Sequence, residues 1–202
     1  LRRGEPIARS RNVNPAEKIA IGRIAAGMIH TGESIVMDGG FTTFQVARHL
    51  PEGPLHVVTN SLDVAQAVAG REDIDLFLTG GELHRHTGTF VGNMAQEQLH
   101  ALNVDKVILG ADAISADSGL STPLSSVAAL KRIMVAMGKE LIVVADHSKI
   151  GGSALYGVVS ADKIDTLVTD DRAPADALDA LREAGVKVVQ TVADSGEGPY
   201  DE

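Results

Sequence analysis

Asp38-Gly39-Gly40-Phe41-Thr42-Thr43 follows an apolar run, Ile35-Val36-Met37, and precedes a helical pattern through Phe44, Val46, Ala47 and Leu50. Strand, glycine loop and helix in that order present backbone N–H groups to an anion. The helix start leaves its first donors unpaired, and the helix dipole there favours negative charge. Gly39 and Gly40 let the backbone approach a ligand closely. Thr42 or Thr43 can cap the helix or offer a hydroxyl, and Asp38 at the strand tip can accept sugar hydroxyls. The chemistry this suits is non-covalent capture of a phosphate or carboxylate. The alternative is an ordinary tight turn with a structural aspartate. The loop is not a P-loop, since no Gly-Lys-Ser/Thr follows, nor a dinucleotide fingerprint, since a third glycine is missing.

Four other apolar runs also end in glycine or polar residues: Thr59-Asn60-Ser61, Thr79-Gly80-Gly81, Gly110-Ala111-Asp112 and Asp146-His147-Ser148-Lys149. Any one such end could merely cap a helix. Five together point to a site for a phosphorylated polyol, because ligands of open parallel sheets bind outside the carboxyl ends of the strands. Gly39, Gly40, Thr42 and Thr43 would hold the phosphate, with Lys149 and Arg85 supplying positive charge. Asp38, Asn60 and Asp112 would read hydroxyls, and Gly80 and Gly81 would permit close backbone approach. No catalytic residue, cofactor or metal ligand is assigned. His84 and His86 flank Arg85 and would face one way on a strand, but their spacing to His147 and the aspartates is not that of a zinc set.

The elements that must position these residues alternate regularly. Strands are expected at Leu55–Thr59, Asp75–Thr79, Lys106–Gly110, Glu140–Ala145, Thr166–Thr169 and Val186–Val189, besides the central run at Ile35. Helices are expected from Asn14, from Ser61 to Ala69, and over Asn93–Ala101, Leu124–Gly138 and Pro174–Ala184. Asn14-Pro15-Ala16-Glu17 has the form of a capped helix start, with Glu17 reaching back. Such alternation predicts an α/β fold: a mostly parallel sheet with helices on both faces. Gly81–Val91 is long for a βα connection, which suggests a small excursion. The basic stretch 1–13 reads as a linker, 14–193 as one domain, and the acidic, glycine-rich 194–202 as a tail.

Composition narrows the class. The 202 residues suffice for one sizeable domain. With only 3% aromatics the core must be built from Ala, Val, Ile and Leu. A net charge of −9 argues against nucleic-acid binding by this chain itself, which needs clustered Lys and Arg. There is no cysteine, hence no disulfide and no thiolate metal site. No apolar run reaches membrane-spanning length and no signal-peptide core is visible, so a cytoplasmic protein without membrane contact is expected.

The ordered set DGGFTT, VVTNS, LTGG, GAD and VADHSK resembles the C-terminal, effector-sensing domain of DeoR-family transcriptional regulators, over Val13 to about Val189. That resemblance implies a fold like ribose-5-phosphate isomerase and glucosamine-6-phosphate deaminase. It implies a phosphorylated sugar or related metabolite as effector and, typically, a repressor of carbon metabolism. It implies that operator DNA is reached only through an N-terminal winged helix-turn-helix absent from this chain. A homo-oligomer is expected, since palindromic operators suit two-fold proteins. The sequence departs from the family pattern at Phe41, where a small hydroxyl residue is common, and at Ser125-Ser126-Val127, where acidic residues are. The rival is an aldose–ketose isomerase with Asp112 as base and Lys149 as electrostatic partner. Against it, Ala113 stands where the resembling isomerase motif has glutamate.

Overall fold

The structure, a computed structural model, describes residues 12–193. Most of the expected linker and the whole expected tail lie outside the described residues. Seven strands form one parallel sheet: β1 (Ser34–Met37), β2 (Leu55–Thr59), β3 (Ile74–Leu78), β6 (Val104–Gly110), β9 (Gly138–Val144), β11 (Thr166–Asp170) and β12 (Lys187–Thr191). Their order is β12-β11-β9-β6-β1-β2-β3. The chain winds from β1 to one side through β2 and β3, then returns to β6 and continues to the other side. β1 and β6 are therefore neighbours at the point where the winding direction reverses, with Val36 paired to Val107.

The inner strands are largely buried on both faces, which is why they read as unbroken apolar runs, whereas the edge strands β3 and β12 are partly exposed. Side chains alternate along a strand. Ile35 and Met37 of β1 face a core shared with α1 (Pro15–Ala26), α2 (Phe41–Arg48) and α3 (Leu62–Val68). Val36 faces the opposite core, with α4 (Asn93–His100), α5 (Ser125–Met137) and α6 (Ala175–Glu183). α1 and α2 cross closely because Gly22 has no side chain: a Cβ there would lie 2.5 Å from Gln45 Cβ. Ile24 of α1 is 39% exposed although Ile21 and Ala25 beside it are fully buried.

Five short strands lie outside the main sheet. β4 (Glu82–His84) and β5 (Thr89–Val91) form an antiparallel hairpin, the excursion expected over Gly81–Val91. β7 (Ala113–Ser115), β8 (Gly119–Thr122) and β10 (Tyr156–Val159) form a small antiparallel sheet that the sequence does not announce. The start of α1 also differs from expectation. Asn14 makes no side-chain cap; it takes a left-handed conformation with φ 51°. Its amide reaches Asp146 instead, and Glu17 pairs with Arg172 rather than turning back. Among the described residues no helix is long and apolar enough to cross a membrane.

Candidate functional site

One cavity opens outside the carboxyl ends of β1, β2, β6 and β9, at the reversal point of the sheet. Its wall includes Asp38, Gly39, Gly40, Thr42, Thr43, Asn60, Asp112 and Lys149. Four of the five strand ends singled out by sequence thus meet in one place. The fifth does not: Gly80, Gly81 and Arg85 fall outside the cavity wall. β3 is the edge strand, and its end turns away into the hairpin. Gly80 N–H donates to Gln98 Oε1 at 2.8 Å on α4. A Cβ at Gly81 would lie 2.6 Å from the Val91 carbonyl oxygen, so this glycine lets the hairpin close. Arg85 sits exposed in the turn between β4 and β5.

The hairpin contributes differently. Asn60 ties it to β2: Phe90 N–H donates to the Asn60 carbonyl at 2.7 Å, and Asn60 Nδ2 donates back to the Phe90 carbonyl at 3.0 Å. A carbonyl can only accept, so this bond fixes the Asn60 amide with Oδ1 turned the other way. Oδ1 is buried without a hydrogen-bond partner among the described residues, and Asn60 lines the cavity. Thr87 and Thr89, their hydroxyls 2.6 Å apart, add to the wall from the same hairpin. Gly39 lies so close beneath it that a Cβ there would stand 2.1 Å from Thr89 Cγ2.

The glycine loop ends in a helix cap with no side chain. Gly40 is the cap of α2, at φ 151°, a conformation suited to glycine. Thr43 does not cap; its hydroxyl donates to the Gly40 carbonyl at 2.9 Å. The first N–H groups of α2 therefore face the cavity end of the loop with no side-chain acceptor supplied at the cap. Phe41 is buried in the wall and stacks on Phe44, with ring centroids 5.9 Å apart.

Asp38 is more committed than its place at a strand tip suggests. Its Oδ1 accepts from Gly110 N–H at 2.9 Å, which clamps β1 to β6 at the reversal point. Lys131 of α5 lies 2.8 Å from Oδ2, an ion-pair contact without hydrogen-bond alignment, and donates to the Gly110 carbonyl at 2.6 Å. Burial pushes the Asp38 carboxyl up, and Lys131 and the Gly110 N–H only partly offset it, so its pKa is raised. Asp112 stays exposed at the rim, where Oδ2 accepts from the Thr122 hydroxyl at 2.7 Å.

Sequence reading missed two lysines. Lys18 of α1 and Lys131 of α5 line the cavity at 2% and 6% exposure. The signal for both was present: Lys18 is in helical register with Ile21 and Ala25, and Lys131 with Val127 and Met134. A lysine on an apolar stripe must find a buried partner. Lys18 finds Asp146, at 3.5 Å, and the Val13 carbonyl, at 2.8 Å. Burial pushes the Asp146 carboxyl up, but hydrogen bonds from Ser148, the Lys18 ammonium and the Asn14 amide outweigh it. Its pKa ends below the ordinary carboxylate value. The His84 and His86 rings lie tilted at 58° to each other with centroids 5.9 Å apart, and His84 Nδ1 meets the Thr87 hydroxyl at 2.9 Å. No group of three or more potential metal ligands occurs among the described residues.

A family model described as the DeoR C terminal sensor domain matches residues 13–171. The chain is 35% identical over 178 residues to a putative aga operon transcriptional repressor of Escherichia coli, covering 88% of this chain and 66% of that protein. It is also 35% identical over 182 residues to the HTH-type transcriptional repressor GlcR of Bacillus subtilis, covering 90% and 70% respectively. The chain thus spans about two thirds of the length of the curated relatives it matches. In fold it is similar to the translation initiation factor eIF-2B of Pyrococcus horikoshii. The TM-score there is 0.51 at 14% identity, over 76% of this chain and 62% of that one. A family match across most of the described residues, and repressors at this identity over nearly the whole chain, place it: the chain belongs to the DeoR C-terminal sensor domain family.

Proposed function

We propose that this domain binds a phosphorylated sugar or a related small metabolite in the reversal-point cavity. Occupancy then controls operator binding by the longer regulator of which such a sensor forms part. The observation that carries the reading is the pairing of two unmet needs in one cavity. The start of α2 offers N–H donors with no side chain at its cap, beside Lys149; the buried Asn60 Oδ1 lacks a donor. A phosphate answers the first and a hydroxyl answers the second, and a sugar phosphate carries both. The threonines at 42, 43, 87 and 89 add hydroxyls, and Asp112 at the rim accepts from ligand hydroxyls. Gly39 and Gly40 serve close approach. Signalling requires that the ligand favour one of two conformations or assemblies, and a homo-oligomer of two-fold symmetry suits a palindromic operator.

A thermal-shift series tests this. Ribose 5-phosphate, fructose 6-phosphate, glucosamine 6-phosphate and glycerol 3-phosphate are compared with their unphosphorylated parents. At a hundred times the dissociation constant a ligand adds about 2.7 kcal/mol. For a domain of this size that is a rise of roughly 5–10 °C. A phosphate-dependent rise that vanishes in Lys149→Ala supports the reading. A flat response to every compound, or conversion of a sugar phosphate by the purified chain, would overturn it.

A further inference from the structure

Val13, Asn14 and Lys18 form a connected group with the floor of the cavity. Lys18 is buried in the cavity wall, yet it belongs to the second turn of α1, directly after the segment that leads into the domain. Its ammonium donates to the Val13 carbonyl at 2.8 Å and stands 3.5 Å from Asp146 Oδ2. The other oxygen of Asp146 accepts from Asn14 Nδ2 at 2.8 Å, as well as from Ser148. Asn14 is the one non-glycine residue with positive φ among the described residues. Left-handed backbone persists in a non-glycine residue only where its surroundings hold it, and here Asp146 is what holds it. Asp146 itself is 1% exposed, and its Oδ2 accepts no aligned hydrogen bond among the described residues.

We infer that Lys18 is an effector-contacting residue, and that an anion in the cavity draws its ammonium away from the Val13 carbonyl and so unlatches residues 12–14. The inference rests on the cavity being the effector site. A neutral carbonyl is a weak competitor for an ammonium against a phosphate dianion, since the dianion adds the attraction of opposite charges to the hydrogen bond. The same cation thus serves two exclusive arrangements: tied to the entering segment when the cavity is empty, and to the ligand when it is full. Coupling of this kind is reciprocal, so loosening the latch must favour the ligand.

The test uses the whole chain and, as probe, whichever sugar phosphate gives the largest thermal shift, with inorganic phosphate alongside. Backbone hydrogen exchange is followed over residues 12–18 with and without probe. In the wild type, saturating probe should raise exchange in this segment several-fold while the strands stay protected. Lys18→Met should weaken the probe at least tenfold and show the raised exchange without it. Asn14→Gly keeps the backbone conformation but removes the tie to Asp146. It should tighten probe binding several-fold, a gain that a merely structural residue would not give. If the probe binds the wild type but Lys18→Met binds equally well, or Asn14→Gly binds no tighter, the latch is wrong and the effector site stands. If no probe binds the wild type at millimolar concentration, both fall together.

Discussion

The two ends of the parallel sheet both gather opposite charges, but on different terms. At the amino ends of the strands, Asp105 of β6 accepts from Ser34 N–H and hydroxyl at 2.9 and 2.7 Å, and from Lys139 at 2.7 Å. Lys106 pairs with Glu33 and, at 3.7 Å, with Glu140. Asp73, just before β3, accepts from Gly53 N–H at 2.9 Å and from Arg71. These carboxylates stitch strand starts together at the surface. Lys139, and the backbone and hydroxyl of Ser34, hold the Asp105 carboxyl well below the usual range. At the carboxyl ends the charges are buried: Asp38 Oδ2 and Asp146 Oδ2 meet Lys131 and Lys18 only as ion pairs without an aligned hydrogen bond, and Asn60 Oδ1 has no hydrogen-bond partner among the described residues. Burying paired charges seldom adds net stability compared with apolar packing. One end is therefore built as a fastening. The other keeps costly polar atoms where a ligand can meet them.

The largest effect is expected where a buried charge loses its partner. Lys131→Ala leaves Asp38 buried with its ion pair gone, which typically costs about 3–5 kcal/mol. The melting temperature should fall by roughly 6–20 °C. Acid should narrow that deficit. Asp38 already has a raised pKa, and removing the cation raises it further. The penalty is full above the folded pKa and disappears as pH falls below the unfolded value near 3.9. The double variant Asp38→Asn, Lys131→Met keeps the acceptor for Gly110 N–H without either charge, and should melt above Lys131→Ala. A double variant no more stable than the single would show that the two ends do not differ in this way.

Next in size is Gly39→Val. Its Cβ cannot coexist with Thr89 Cγ2 at 2.1 Å, so the glycine loop and the hairpin must part. The cost should be about 1–3 kcal/mol, and the phosphate-dependent thermal shift should be lost. A comparable change at the other end should do far less. Lys139→Ala removes a cation that is 78% exposed, and exposed pairs contribute little. Its melting temperature should stay within about 2 °C of wild type, with ligand response intact.

The contrast between the ends also explains what the sequence discloses. All seven strands of the main sheet are legible: burial on both faces writes a continuous apolar run in the inner ones, and the partly exposed edges β3 and β12 keep short apolar runs of their own. The six α-helices given above for the described residues are legible because each keeps an apolar stripe. β7, β8 and β10 are not, since strands of three or four residues have no period to read. Tyr156 pairs with Thr122 across more than thirty residues of sequence. Strand tips were readable as a set, and Asp38, Asn60, Asp112 and Lys149 meet at one cavity. Gly80 and Gly81 look identical to the other glycine ends, but β3 is the edge of the sheet, and strand order is a tertiary fact. Lys18 and Lys131 had a local signal, in register with apolar stripes. What they pair with, Asp146 and Asp38, lies more than ninety residues away in each case.

A pH series is the sharpest probe of the difference between the ends, because acid acts on them in opposite directions. Arg71 and the Gly53 N–H hold the Asp73 carboxyl down to about 2. A carboxyl lowered in the fold contributes stability that is present above its unfolded pKa near 3.9 and lost as pH falls toward the folded value. Asp73→Asn should thus be less stable than wild type at pH 5 to 7, and the gap should close between about pH 4 and 2. Asp38 runs the other way, since its raised pKa returns stability on acidification. Urea unfolding of wild type, Asp73→Asn and Asp38→Asn across this range separates the two. If the Asp73→Asn gap were constant with pH, the carboxylate would matter for its shape and not its charge, and the amino-end fastening would not be electrostatic.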